Sequence, residues 1–158
     1  MKELMKSNIY DVDKTIIVVG SCLKSMQPKG YESLQKKSNN IYELCLEEIH
    51  INMAITKIGG MLRTNKIKKI IFASLDKSPH CIGLHYIQDE LRKMMDLSDV
   101  EIENYVIVND ELIRISTEII SLSKNLSKLS KLNNERKQWK CIINKISKIK
   151  EGIKWESQ

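Results

Sequence analysis

Hydrophobic positions along the chain gather into a few dense runs, and the spacing inside each run predicts its structure. Residues 15–20, TIIVVG, are continuously apolar, β-branched and closed by a glycine, which predicts a buried strand. The next twenty or so positions are polar and without period, and they contain Pro28 and Gly30. A connection of that length in a compact domain is either a working loop or one that hides a short helix. From Ile41 to about Arg63 the apolar positions Ile41, Leu44, Cys45, Ile51, Ile55, Ile58 and Leu62 recur at steps of three and four. That spacing predicts a helix over 41–63, capped by Asn40 and ended by a left-handed Asn65. A second strand is expected over 66–75, a helix from Pro79 to about Met95, a third strand over 100–108, and a third helix from near Asp110.

Strand and helix therefore alternate three times, the pattern of a parallel sheet covered by helices. The expected fold is a small α/β domain over residues 1–125, with a sheet of three to four strands. A basic C-terminal helical extension or hairpin is expected over 126–158. In that last part Leu112, Ile115, Ile119, Leu122, Leu126 and Leu129 step heptad-like. The phase breaks at Asn133-Asn134 and resumes through Trp139, Ile142, Ile146, Ile149 and Ile153. Two such seams pack either onto the domain or onto a second copy, giving a homodimer.

Charge changes the picture only locally. The formal net charge is +6, and the excess concentrates in residues 124–154, where ten Lys and Arg face only Glu135 and Glu151. Such a stretch is a solvated helix face or an attractant for polyanions. Aromatic residues make up 5% of the chain, too few for a surface that stacks successive bases, which argues against nucleic acid. No run reaches the roughly 20 apolar residues of a membrane span, and the polar MKELMKSNIYDVDK start lacks a signal-like core. A cytoplasmic protein with reduced cysteines is expected. Cys22, Cys45, Cys81 and Cys141 form no CxxC, and neither GxGxxG nor GxxxxGK[ST] occurs, so zinc ribbons and the usual nucleotide loops are not expected.

The candidate chemistry lies where the strands end, because open α/β sheets bind ligands beyond the carboxyl ends of their strands. Those ends carry Ser21 and Cys22; Asp76, Ser78, His80 and Cys81; and Asn109 with Asp110. Ser78-Pro79 is a good helix start, which puts His80 and Cys81 in a first turn whose free N–H groups favour a thiolate. Cys81 and His85 are four apart on one helical face, and with Cys22 they form a candidate metal set. Cys81 is also a candidate nucleophile, with His80 or His85 as its base. Ser21, Asp76, Ser78 and Asn109 are candidate ligand-binding residues. The plainer alternative is that Cys81 is packed under the helix, as cysteines often are, and that His50 and Cys45 belong to the core.

The stretch IKKIIFASLDKSPHCIGLHYIQDELRKM also resembles uncharacterised proteins of anaerobic bacteria that carry SPHC-x-x-LHY after a strand, some of them beside ferredoxin-type modules. The match covers about thirty residues and is carried by Ser78, Pro79, His80, Cys81, Leu84, His85 and Tyr86. It implies an anaerobic redox context, a site at His80, Cys81 and His85, and a ferredoxin-type redox partner. The chain has no ferredoxin-type cysteine cluster, so any iron–sulfur centre would be the partner's. Three functions stand open on this reading: a domain binding a metal or small ligand, a cysteine-dependent enzyme, and a non-catalytic oligomeric interaction protein.

Overall fold

The computed structural model describes the backbone of residues 2–153 and the side chains of residues 2–140. Two compact units divide the chain, Met1–Thr117 and Glu118–Gln158. The first contains the whole sheet. Its elements in order are β1 (Lys2–Glu3), β2 (Thr15–Gly20), α1 (Leu23–Met26), α2 (Pro28–Gln35), β3 (Ile41–Leu44), α3 (Ile51–Leu62), β4 (Lys69–Leu75), α4 (Ile82–Met94), β5 (Glu101–Val108) and β6 (Glu111–Ile115).

Six strands form one sheet in the order β1-β3-β2-β4-β5-β6. All neighbours are parallel except the β5–β6 hairpin. The central strand β2 shows why its sequence is continuously apolar. Ile16 and Val18 enter the core on one face, while Ile17 and Val19 enter the core on the other. β4 repeats this, with Ile70 and Phe72 on the first face and Ile71, Ala73 and Leu75 on the second. A strand covered on both faces has no polar side to show in its pattern.

Helices α3 and α4 cover the first face through Ala54, Ile58, Met61, Leu84, Ile87 and Leu91. Leu23, Tyr31 and Leu34 of α1 and α2 cover the second. The connection from β2 to β3 runs one way across the sheet, and those from β3 to β4 and β4 to β5 run the other. Opposite directions with helices on opposite faces keep every crossover in one hand.

Three expectations are corrected. The helix expected over 41–63 is β3, a loop over 45–50, and α3. Asn40 therefore caps nothing, and Cys45 lies half-buried in a loop rather than in a helix core. Its four strand residues happen to share the three-to-four spacing of the helix that follows. The helix expected from Asp110 is preceded by β6, so Leu112 and Ile115 belong to a strand. Asn109 (φ 50) and Asp110 (φ 64) make the two-residue turn, with both central residues left-handed as a tight hairpin requires. The sheet has six strands rather than three or four, because β1 and β6 extend its edges. β1 had no apolar signature at all, although Leu4 just after it is fully buried.

Asp110 has a second task. Its carboxylate accepts the backbone N–H groups of Lys29 (3.1 Å) and Gly30 (3.2 Å), closing the first turn of α2 from 80 residues away. Its own N–H donates to Gln27 Oε1 at 2.5 Å. The approach is close: a Cβ on Gly30 would stand 2.5 Å from Ile107 Cγ2.

The second unit holds α5 (Thr117–Ser123) and α6 (Leu126–Ile153). α6 runs unbroken through Asn133-Asn134, so the hairpin alternative is set aside. Leu126, Leu132 and Trp139 are exposed on it. The side chains of Cys141, Ile142, Ile146, Ile149 and Ile153, expected to make the second seam, lie outside the described residues.

Candidate functional site

The sheet reverses its direction of growth between β2 and β4, since the chain moves from β2 outward to β3 before returning to β4. Beyond the carboxyl ends of these two strands the following segments leave toward opposite faces, which is the place where α/β sheets bind ligands. β2 delivers Gly20, Ser21 and Cys22 to one side of it. β4 delivers Asp76 through Cys81 to the other. β3 ends beside them in Cys45.

On the β4 side, Lys77 turns the chain with a left-handed φ of 63. The Ser78 hydroxyl then accepts the Cys81 N–H at 3.3 Å, and the Ser78 carbonyl accepts the Ile82 N–H, also at 3.3 Å. Ser78 thus closes a turn ahead of α4, and the expected start at Ser78-Pro79 is corrected: the helix begins at Ile82, with Cys81 at its cap position and no side-chain cap. This turn directs Cys81 inward. It is 8% exposed, and its Sγ lies against Gly20, where an added Cβ would come within 2.9 Å of it. Gly20 is needed here for the space it leaves.

Cys22 stands two residues beyond Gly20 and is exposed at the start of α1. Burial pushes its thiol above the ordinary value, and the charge of Cys81 adds to this. Cys45 contributes a weaker electrostatic effect in the same direction. Cys22 and Cys45 thus stand just past the carboxyl ends of the neighbouring strands β2 and β3, and Cys81 Sγ lies against Gly20 at the end of β2. A cavity of about 320 Å³ lies beside β1 and β3, lined by Glu3, Lys6, Ser21, Cys45 and Glu48 among others; Cys22 and Cys81 do not line it.

The histidines are not part of this cluster. His85 is buried (1% exposed), with Nε2 2.8 Å from Ser74 Oγ and Nδ1 2.9 Å from Asn104 Oδ1. The Asn104 amide donates onward to Gln88 Oε1 at 3.2 Å. Both ring nitrogens are engaged, so His85 has no free lone pair for a metal beside Cys81, and burial holds it neutral by pulling its pKa below the ordinary value. His80 is exposed and stands 3.8 Å from Glu47 Oε2, a loose surface pair. Neither histidine is placed as a base for Cys81. Among the described residues no three His, Cys, Asp or Glu side chains stand together in a metal-holding group, so the set Cys22, Cys81 and His85 is not assembled.

Of the other candidates, Ser21 is exposed at the switch point and lines the cavity. Asp76 is exposed, its N–H tied to the Ile107 carbonyl at 3.3 Å. Asn109 is spent on the hairpin turn, one strand farther out. Sequence reasoning missed Cys45 and Gly20. Recognising β3 as a strand would have placed Cys45 just past its carboxyl end, as Cys22 is past that of β2.

No curated protein and no solved structure gives a significant match to the chain. Among the described residues, no helix is long and apolar enough to cross a membrane. A family model described as a Rossmann-like domain matches residues 11–140. That span holds all of the sheet except β1, together with the switch point, and the chain belongs to the Rossmann-like domain family.

Proposed function

We propose that the protein binds a small thiophilic ligand at the switch point, with the thiols of Cys22 and Cys81 as its two protein donors. The ligand class is a soft metal ion or a metal centre presented by a partner, and the remaining ligand positions are filled from outside the chain. The observation that carries this reading is that Cys22 follows the end of β2 while Cys81, 59 positions later, has its Sγ against Gly20 at that same strand end, where this fold binds ligands. Thiolate sulfur selects soft metals over magnesium or calcium. Ser21 and the adjoining cavity offer room for the non-protein part of the ligand.

The biological setting belongs to the same proposal. The SPHC-x-x-LHY resemblance supports a cytoplasmic role in anaerobic redox metabolism, with a ferredoxin-type protein as partner and any iron–sulfur cluster on that partner. Cadmium, a soft ion with a thiolate charge-transfer band, tests the site directly. Titrated into reduced protein under anaerobic conditions, it should give a saturable ultraviolet band at one equivalent, absent from Cys22→Ser. A wild-type protein with no such band, or a band unchanged in Cys22→Ser, would overturn the assignment.

A second reading concerns assembly. Leu126, Leu132 and Trp139 are exposed on α6 at 78%, 48% and 65%, more apolar surface than a solitary helix normally shows. This favours a homodimer formed through the C-terminal helices.

A further inference from the structure

We infer that a cavity at the amino ends of β4 and β5 binds a free amino acid with an apolar side chain, its carboxylate met by Arg63 and Lys68 and its ammonium by Asp96 and Asp99. The site lies at the opposite end of the sheet from Cys22 and Cys81, and it does not depend on the reading of those thiols.

The cavity measures about 370 Å³, and two turns wall it. One follows α3 and leads into β4, and the other follows α4 and leads into β5. Backbone hydrogen bonds fix both. Asn65, with a left-handed φ of 58, donates its N–H to the Leu62 carbonyl at 3.0 Å. On the other wall the Asp96 carboxylate accepts the Ser98 N–H at 2.9 Å, and the Val100 N–H donates to the Leu97 carbonyl at 3.1 Å. The Glu101 N–H then donates to the Lys68 carbonyl at 2.9 Å and ties the walls together. The site is thus formed before a ligand arrives, as small-molecule sites usually are.

Charge is divided between the two walls. Residues 63–68, RTNKIK, hold three bases and no acid, whereas residues 95–100, MDLSDV, hold Asp96 and Asp99 and no base. Lys66 is spent on the Tyr10 carbonyl at 3.0 Å, which leaves Arg63 and Lys68 on the cavity. Among the described residues, none of Arg63, Lys68, Asp96 and Asp99 enters an ion pair. The hydrogen bond from the Ser98 N–H holds the Asp96 carboxyl below the usual carboxylate range, so it is charged at neutral pH. α4 ends on this acidic wall, and the carbonyl end of a helix favours a cation as well. Opposite charges that line one small cavity without meeting across it suit a molecule carrying both signs. A phosphate would meet Asp96 and Asp99, and a polyamine would meet Arg63 and Lys68, so each is disfavoured by one wall. The floor is apolar: Leu62, Ile67 and Leu97 are buried members of the first-face core, and an aliphatic side chain fits against them.

The test uses full-length protein with isotope-labelled amides and free leucine as the probe. Titration should shift, saturably, the amide resonances of residues 62–68 and 95–100. N-acetyl-leucine lacks the ammonium and leucinamide lacks the carboxylate, so each should bind more weakly by about tenfold or more. Asp99→Asn should narrow the preference for leucine over N-acetyl-leucine, and Lys68→Gln the preference over leucinamide. A merely structural effect of either change would not single out one analogue. Both side chains are exposed, and unchanged resonances across the sheet show that the variants fold. No saturable shift with leucine, equal affinity for all three compounds, or preferences unchanged in both variants would each overturn the inference.

Discussion

His85 ties the stability of the fold to pH, and the size of the effect follows from its surroundings. The ring is buried between Ser74 on β4 and Asn104 on β5, and burial lowers its pKa below the ordinary 6.5. In the unfolded chain the same ring protonates near 6.5. The folded state therefore binds fewer protons than the unfolded state as pH falls below that value. Stability contributed by the neutral ring is full above about pH 6.5 and is lost progressively between there and the lower folded pKa. At pH 5.5 an unfolded histidine is about nine-tenths protonated, so the loss relative to pH 7.5 is at most about 1.4 kcal/mol. His85→Gln removes the titration while keeping a polar side chain able to reach Ser74 or Asn104. Urea unfolding of both proteins at pH 7.5 and 5.5 isolates the term, since the other titrating groups are common to both. Wild type should lose more stability than His85→Gln between the two pH values, with about 1.4 kcal/mol as the ceiling set by the unfolded ring. Equal losses would refute the argument, and a smaller loss in wild type would mean that the ring is charged in the fold.

Other consequences are open to direct measurement. Asp110→Ala removes the oxygen that closes the first turn of α2 and should lower unfolding stability by about 1–2 kcal/mol, with Asp110→Asn closer to wild type. Gly20→Ala forces Cys81 Sγ to move, so native Cys81 should be alkylated faster than in wild type while circular dichroism stays unchanged; an unchanged rate would show that the thiol is not confined by Gly20. Glu103 is nearly buried on β5, and burial alone would raise its pKa, but hydrogen bonds with Lys69 and Tyr105 and the charges of Lys69 and Arg114 hold it below the usual carboxylate value. Its contribution is present above about pH 4.5 and is lost as pH falls through the lower folded value, so wild type should lose more stability on acidification below 4.5 than Glu103→Gln does. Truncation after residue 125 should reduce the mass in solution by half by sedimentation if α6 carries the dimer; an unchanged association state would exclude it.

The parts of the fold visible in the sequence were those with strong, uniform burial. β2 and β4 are apolar on both faces, and β5 follows β4 in register, so their positions and the α/β class could be read directly. β3 could not, because four residues carry too few alternations to compete with the helical spacing of Ile51, Ile55, Ile58 and Leu62 behind them. β6 was hidden for another reason. Leu112 and Ile115 fall in phase with the helical residues after them, and the Asn109-Asp110 turn lacks the glycine that usually marks a hairpin. The strand-end rule put Cys22 and Cys81 past the ends of β2 and β4, where the structure has them, because it depends only on where strands stop. The pairing of Cys81 with His85 failed because a spacing of four puts two residues on one face of a helix only where both are helical. Cys81 precedes the regular helix, while His85 lies within it and points into the core. Its polar partners, Ser74 and Asn104, come from two strands, and no local spacing announces such a network.

The clasp of Asp110 on α2 also orders events in time. The N–H groups of Lys29 and Gly30 are made early in synthesis, yet their acceptor lies beyond β5, 80 residues later. Until the hairpin exists, the first turn of α2 has no carboxylate to close it, and Tyr31 and Leu34 lack the Tyr105 and Ile107 side of their core. The helix that covers this face therefore cannot reach its final stability before the far side of the sheet has arrived. Bringing the two together means closing a long loop, the step whose entropy slows folds dominated by distant contacts. A nascent chain stopped before residue 101 would lack both β5 and Asp110 and would hold α2 only loosely against β2 and β4.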